Sequence, residues 1–210
     1  MASFMEQFCK GFKYSGYCIV GEPTVFTDDK GTVQRFGKFL SAGKTFSLPV
    51  ESDDELSALP KPGSMAYNVG LLVRRKTSKG MVGRMKTLIL PGQKEWKEPT
   101  DEDFLGGIRF DGYGIVVLKR TTQYQGNTNR TLQVSTLGDV LVFQHIPEET
   151  YEKLPDAGQL YLGGHVDPAV VSSDRGAVDE FYPWIETHKV FDKTGAAPPP
   201  EANPSPTKAA

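Results

Sequence analysis

Cysteine is nearly absent from this chain: Cys9 and Cys18 are the only two in 210 residues. Neither a disulfide framework nor a Cys-rich zinc site can be built from so few, and a reducing, cytoplasmic setting is the expectation that follows. Long apolar runs are missing as well. The stretches Gly114 to Leu118 and Met85 to Leu90 fall far short of the roughly 20 residues a helical bilayer span needs. Met1 to Lys10 lacks the apolar middle of a secretory signal. Neither a membrane partner nor a secreted precursor is expected. Histidine is scarce, and His145, His165 and His188 stand far apart, with no two at the i, i+4 spacing of a helical metal site. No metal and no cofactor is expected. Gly80-Met81-Val82-Gly83-Arg84 is too short for a phosphate loop and lacks its Gly-Lys-Ser/Thr end. Cys9 and Cys18 read as small buried apolar residues rather than nucleophiles. These absences point away from an enzyme. An excess of one charge is also lacking, since 24 Lys and Arg meet 26 Asp and Glu. The net charge of −2 exerts no global pull on polyanions, although an average can hide a local surface.

What the chain does have is turn residues, 22 Gly and 15 Pro, between short β-rich runs. Tyr17 to Thr27, Thr32 to Leu40, Lys44 to Val50, Ser64 to Lys76 and Met81 to Leu90 read as strands. Asp28 to Gly31, Ala42-Gly43 and Thr77 to Gly80 each put Gly where an antiparallel hairpin wants a positive φ. One short helix is signalled between the third and fourth runs. Ser52-Asp53-Asp54-Glu55 has the form of a capping box, and Pro60 and Gly63 stop the helix. The order β-β-β-α-β-β then recurs. Tyr14 to Val20 lines up with Phe110 to Val116, Thr45 to Val50 with Val140 to His145, and Leu59-Pro60-Lys61-Pro62-Gly63 with Leu154-Pro155-Asp156-Ala157-Gly158. Pro147 supplies the start of the second helix. The expected fold is all-β with one short helix per copy. Residues 1–92 form one small five-stranded barrel, 93–104 an exposed polar connector and 105–193 a second barrel. Asp167 to Ala177 reads as a loop, which delays the last strand to between Trp184 and Phe191. The tail at 194–210, rich in Pro and Ala, should be disordered.

A five-strand order with the helix between strands three and four resembles the oligonucleotide/oligosaccharide-binding (OB) fold, a Greek-key barrel that binds ligand over its second and third strands and two adjoining loops. At the level of element order the chain is similar, from about Phe12 to Phe191, to two-domain single-stranded DNA-binding proteins of that fold. It departs from the bacterial members at its end, because Pro, Ala and Lys stand where those have a short acidic recruiting peptide. The resemblance implies single-stranded DNA as partner and no chemistry.

The charge pattern gives a separate reason to consider a polyanion. Between Gly63 and Gly92 six bases (Arg74, Arg75, Lys76, Lys79, Arg84 and Lys86) occur without an acid, and Arg35 and Lys38 lie on another acid-free stretch. Such segregation predicts a cationic groove able to neutralise phosphates. Bases of a strand also need aromatic platforms. In Arg35-Phe36-Gly37-Lys38-Phe39 the period of two puts Phe36 with Lys38 and Phe39 with Arg35. One ring is core and the other is left to stack, and the sequence leaves open which. In the second copy Lys119 to Arg130 reads as a polar loop with Lys119, Arg120 and Arg130 around a single ring, Tyr124. Phe46 and Phe143 read as core. The function expected is largely sequence-independent binding of single-stranded DNA, with RNA left open as the ligand, in a virus- or plasmid-encoded protein of DNA replication. Self-association and contact with replication proteins are left open too. The rival is an assembly protein, a viral particle component or adaptor, that uses exposed strand edges and Phe181-Tyr182-Pro183-Trp184 to hold protein.

Overall fold

Turn and cap chemistry sets most element boundaries in the computed structural model, which describes residues 3–75, 80–173 and 176–191. The first half runs α1 (Phe4–Phe8), β1 (Lys13–Val20), β2 (Thr24–Thr27), β3 (Val33–Ser41), β4 (Lys44–Val50), α2 (Asp53–Ser57), β5 (Met65–Arg74) and β6 (Met81–Ile89). After α3 (Asp101–Leu105) the second half runs β7 (Ile108–Tyr124), β8 (Asn127–Thr136), β9 (Asp139–Phe143), α4 (Glu148–Lys153), β10 (Gly158–Ser173) and β11 (Gly176–Phe191). The class is all-β with small helices, as expected. The first predicted strand is two: Gly21-Glu22-Pro23 separates β1 from β2, because Pro23 has no N–H to give a ladder.

The Ser52 cap holds, its Oγ accepting from the Glu55 N–H at 3.1 Å, but the Glu55 carboxylate accepts from the N–H of Glu51 at 2.9 Å and not from that of Ser52. Complete capping boxes occur instead at Ser3/Glu6 and Thr100/Asp103, which start α1 and α3. The described residues of the span from Asp167 to Ala177, expected as a loop, belong to one long hairpin. β10 and β11 pair from Gln159↔Phe191 to Ser173↔Gly176. Polar residues do not end a strand whose backbone groups find ladder partners throughout. The 194–210 tail lies outside the described residues.

Strand pairing follows the same plan in each half. β1 pairs with β3 and β5, β3 with β4, and β5 with β6. β7 pairs with β8 and β10, β8 with β9, and β10 with β11. Short β2 lies on the outside of β3, at one end of the sheet path. The halves are joined by backbone as well as by side chains. β1 meets β7 at Lys13↔Asp111, Tyr14↔Phe110 and Ser15↔Arg109, and β6 meets β11 at Met81↔Phe181.

One hydrophobic cluster contains residues of both halves. Phe181 packs edge-on against Tyr14 at 5.5 Å and Phe46 at 5.7 Å, while Phe12 reaches Phe143 at 5.6 Å. Phe46 and Phe143 are fully buried, as expected. A Cβ on Gly112 would lie 2.6 Å from the Phe12 ring, so close approach of the strands requires glycine there. Helix α1 extends the seam by packing Phe4 against Tyr113 and Phe191 of the second half. The segment between the halves is fastened too: Trp96 packs edge-on to Tyr17, whose hydroxyl donates to the Lys97 carbonyl at 2.8 Å. Polar links across the seam share one polarity. Lys44 meets Asp167 at 2.6 Å, Arg75 meets Glu180 at 3.1 Å, and the Arg74 N–H donates to Asp139 at 2.7 Å.

Candidate nucleic-acid interface

On β3 the two-residue alternation resolves which ring is core. Gly37, Phe39 and Ser41 point inward, and Phe39 is fully buried, stacked on Phe46 at 5.5 Å. Phe39 is therefore a core residue, which removes it as a platform for bases. Phe36 and Lys38 lie on the other face, both half-buried, and Lys38 has no ion pair among the described residues. Register places Pro49 opposite Phe36 and Ser47 opposite Lys38. Arg35 is committed elsewhere. Its guanidinium grips Asp53 twice, at 2.5 and 2.8 Å, in the first turn of α2. The hydrogen bond from Arg35 holds the Asp53 carboxyl below the usual carboxylate range.

The basic run of the first half is acid-free in sequence but not in space. Arg75 is paired with Glu180, their side chains only 18% and 9% exposed, and Arg84 is paired with Glu51 at 2.5 Å. Arg74 and Lys86 are exposed, and neither side chain has an ion pair among the described residues. Lys76 and Lys79 lie outside the described residues. The run therefore combines two free cations with two that hold acids brought from β11 and from the end of β4.

In the second half Lys119 to Arg130 is a hairpin, not a loop. Tyr124 pairs with Asn127 across a two-residue turn in which Gln125 has φ 49° and Gly126 has φ 79°. Positive φ at both positions matches the right-handed twist of the flanking strands, so polar residues stay in strand. The ribbon has two different faces. On one, Lys119 donates to the Leu154 carbonyl at 2.8 Å, sits 4.6 Å above the Tyr151 ring and lies 3.5 Å from Asp156, while Arg130 meets Glu148 at 2.9 Å. These two cations fasten the ribbon to α4. The other face carries Arg120, Thr122 and Tyr124, with Asn127 and Asn129 opposite the last two. Tyr124 is 71% exposed, and Arg120 is exposed with no ion pair among the described residues.

A further surface was missed in the sequence. Arg109 on β7, His165 on β10 and Trp184 on β11 are register neighbours, and Glu186 bonds Arg109 and His165 at 2.5 Å each. Burial tends to raise the Glu186 carboxyl, but the bonds from His165 and Arg109 outweigh it and hold it below its ordinary value. Alternation in Phe181-Tyr182-Pro183-Trp184 was the available signal, for Phe181 and Pro183 are buried and Trp184 is not. No group of His, Cys, Asp and Glu able to hold a metal occurs among the described residues. Cys18 is buried and its thiol is pushed up to about 12 by that burial. Cys9, expected to be buried, is exposed at the end of α1.

No family model matches the chain, and no curated protein does. Among solved structures it is similar to the single-stranded DNA binding protein from Thermus aquaticus. The wild-type form gives a TM-score of 0.49 at 11% identity, over 91% of this chain and 95% of that one. A deletion mutant of the same protein gives 0.45 at 12% identity, over 91% and 97%. A murine DNA binding protein bound with double-stranded DNA gives 0.25 at 7% identity, over 84% and 97%.

Proposed function

We propose that the chain is a non-enzymatic, largely sequence-independent binder of single-stranded DNA, built as two tandem OB-like barrels and working in the cytoplasm. The observation that carries the reading is that unpaired cations and outward rings share faces in each half. Phe36 stands with Lys38 on β3, and Tyr124 with Arg120 on the β7–β8 ribbon. Stacking on a ring beside a phosphate-binding cation is indifferent to base identity, which suits binding without sequence preference. Arg74 and Lys86 add phosphate contacts, whereas Arg35, Arg75, Arg84, Lys119 and Arg130 act first through their ion pairs. The common pairing plan of β1, β3, β4, β5, β6 and of β7 to β11, each with its helix before the fourth strand, supports the two-barrel reading. RNA would meet the same rings and cations, since neither kind of contact reads the 2′-hydroxyl.

Fluorescence anisotropy with labelled single-stranded and duplex DNA at two salt concentrations tests the proposal. Preference for the single strand, with affinity falling steeply as salt rises, is the expected result; absent or salt-independent binding overturns it. The assembly reading has one observation in its favour: β2 is an end strand, and Val25, Phe26 and Val33 on the β2–β3 edge are 55%, 50% and 42% exposed. Sedimentation showing stable self-association without strand binding would favour it.

A further inference from the structure

The outer face of β10 and β11 carries none of the residues to which strand binding is assigned above, yet it combines a partly open indole with cations. Trp184 is 37% exposed, and its ring lies nearly parallel to that of His165, with centroids 6.2 Å apart and planes 14° apart. The imidazole is held from behind. Glu186 accepts at His165 Nδ1 and at Arg109 Nη2, so one carboxylate fixes both the ring and the guanidinium beside it. His165 also lines a cleft of about 220 Å³ between the halves, whose wall includes Lys44, Asp167, Gly107 and Ile108. Lys44 belongs to the first half and reaches Asp167 across that cleft.

We infer that this face is a second stacking station for the strand, in which Trp184 and His165 take a nucleobase and the half-exposed Arg109 and Lys44 take the flanking phosphates through the donors that their pairs with Glu186 and Asp167 leave free. The inference rests on the strand-binding reading above and extends it to a surface away from β3 and the β7–β8 ribbon. Charge decides the class of ligand. His165, stacked on that indole, lies among Arg109, Glu186, Lys44 and Asp167, whereas the centre of a protein interface is depleted in charged residues. An aromatic ring among cations is the arrangement that holds single strands. Because Glu186 already orders the imidazole and the guanidinium, less ordering remains to be done when the strand arrives.

The chain's only tryptophans, Trp96 and Trp184, make the station directly observable. In full-length protein carrying Trp96→Phe, a thymidine oligonucleotide should quench Trp184 emission saturably, over the concentrations at which a labelled copy of the strand gains anisotropy. Trp184→Ala should weaken strand binding by about 5- to 150-fold, the range for one stacked base, and Trp184→Phe should restore most of it. Arg109→Gln should lower the salt slope by about one counterion. Unchanged Trp184 emission during strand binding, with Trp184→Ala binding normally, overturns the station and leaves the strand-binding reading standing. Loss of self-association in Trp184→Ala, with strand affinity intact, overturns it in favour of a protein contact. No gain of anisotropy with any strand overturns the reading on which the station rests.

Discussion

The basic run of the first half and the β7–β8 ribbon of the second present opposite relations between charge in sequence and charge in space. The run from Arg74 to Lys86 is dense in cations, and no acid lies near it along the chain. In the fold, Glu180 clasps Arg75 and Glu51 clasps Arg84, which leaves only Arg74 and Lys86 as free cations among the run's described residues. The ribbon is sparse, with Lys119, Arg120 and Arg130 spread over twelve positions. Yet it presents an unpaired Arg120 on the face of an open Tyr124, because its other two cations are drawn to α4 on the opposite face. Charge density along a chain is thus a poor guide to free charge on a surface. The partner of a cation is chosen by the sheet that brings distant strands together, and here the acids come from 33 to 105 positions away.

Three substitutions sharpen or break this comparison, and the largest effect belongs to the seam. Phe181 touches rings of the first half from the second, so Phe181→Ala should lower stability by about 3–5 kcal/mol. Chemical denaturation followed by fluorescence should show the loss in a single transition. Two separate transitions, with only the later one shifted, would mean that the halves fold independently of the shared cluster. Next is Tyr124→Ala, expected to weaken single-strand binding by about 1–3 kcal/mol while leaving the denaturation midpoint unchanged, since the ring packs on nothing in the core. An unaltered affinity would remove the ribbon from the binding surface. The smallest effect is that of Glu51→Gln. Its pair with Arg84 is exposed, with side chains 69% and 55% accessible, so stability should move by no more than about 1 kcal/mol. The released guanidinium should strengthen strand binding slightly at low salt; weaker binding would mean that Arg84 needs its partner to be positioned.

Much of the fold was legible because its determinants are local. Gly31 and Gly43 take positive φ where turns were expected, at 79° and 74°, and Ser52 caps α2. Strands β3 to β6 fall within a few residues of the apolar runs that announce them. The capping boxes of α1 and α3 were equally readable and were passed over, since each opens a helix of only five residues, one at the terminus and one beside Pro99. What could not be read is non-local. In Asp167 to Ala177 only the pair Val170-Val171 speaks for a strand, and its ladder comes from a partner hairpin arm. The period of two placed Phe36 and Phe39 on opposite faces but could not say which face meets the core, and that depends on Phe46 across the ladder. Trp184 and Arg109 are 75 positions apart in sequence, so only the register of three strands reveals that they share a surface.

The claim that Arg120 of the ribbon is free and Arg75 of the basic run is clamped is tested most directly by comparing Arg120→Gln with Arg75→Gln. Single-strand affinity is measured across a range of salt for each, and thermal unfolding alongside. Arg120→Gln should lower the salt slope by about one and leave the unfolding midpoint alone. Arg75→Gln should keep the slope and lower the midpoint, because it removes a part-buried ion pair with the Glu180 carboxylate, only 9% exposed. The reverse pattern, in which Arg75→Gln lowers the slope and Arg120→Gln changes nothing, would contradict the account.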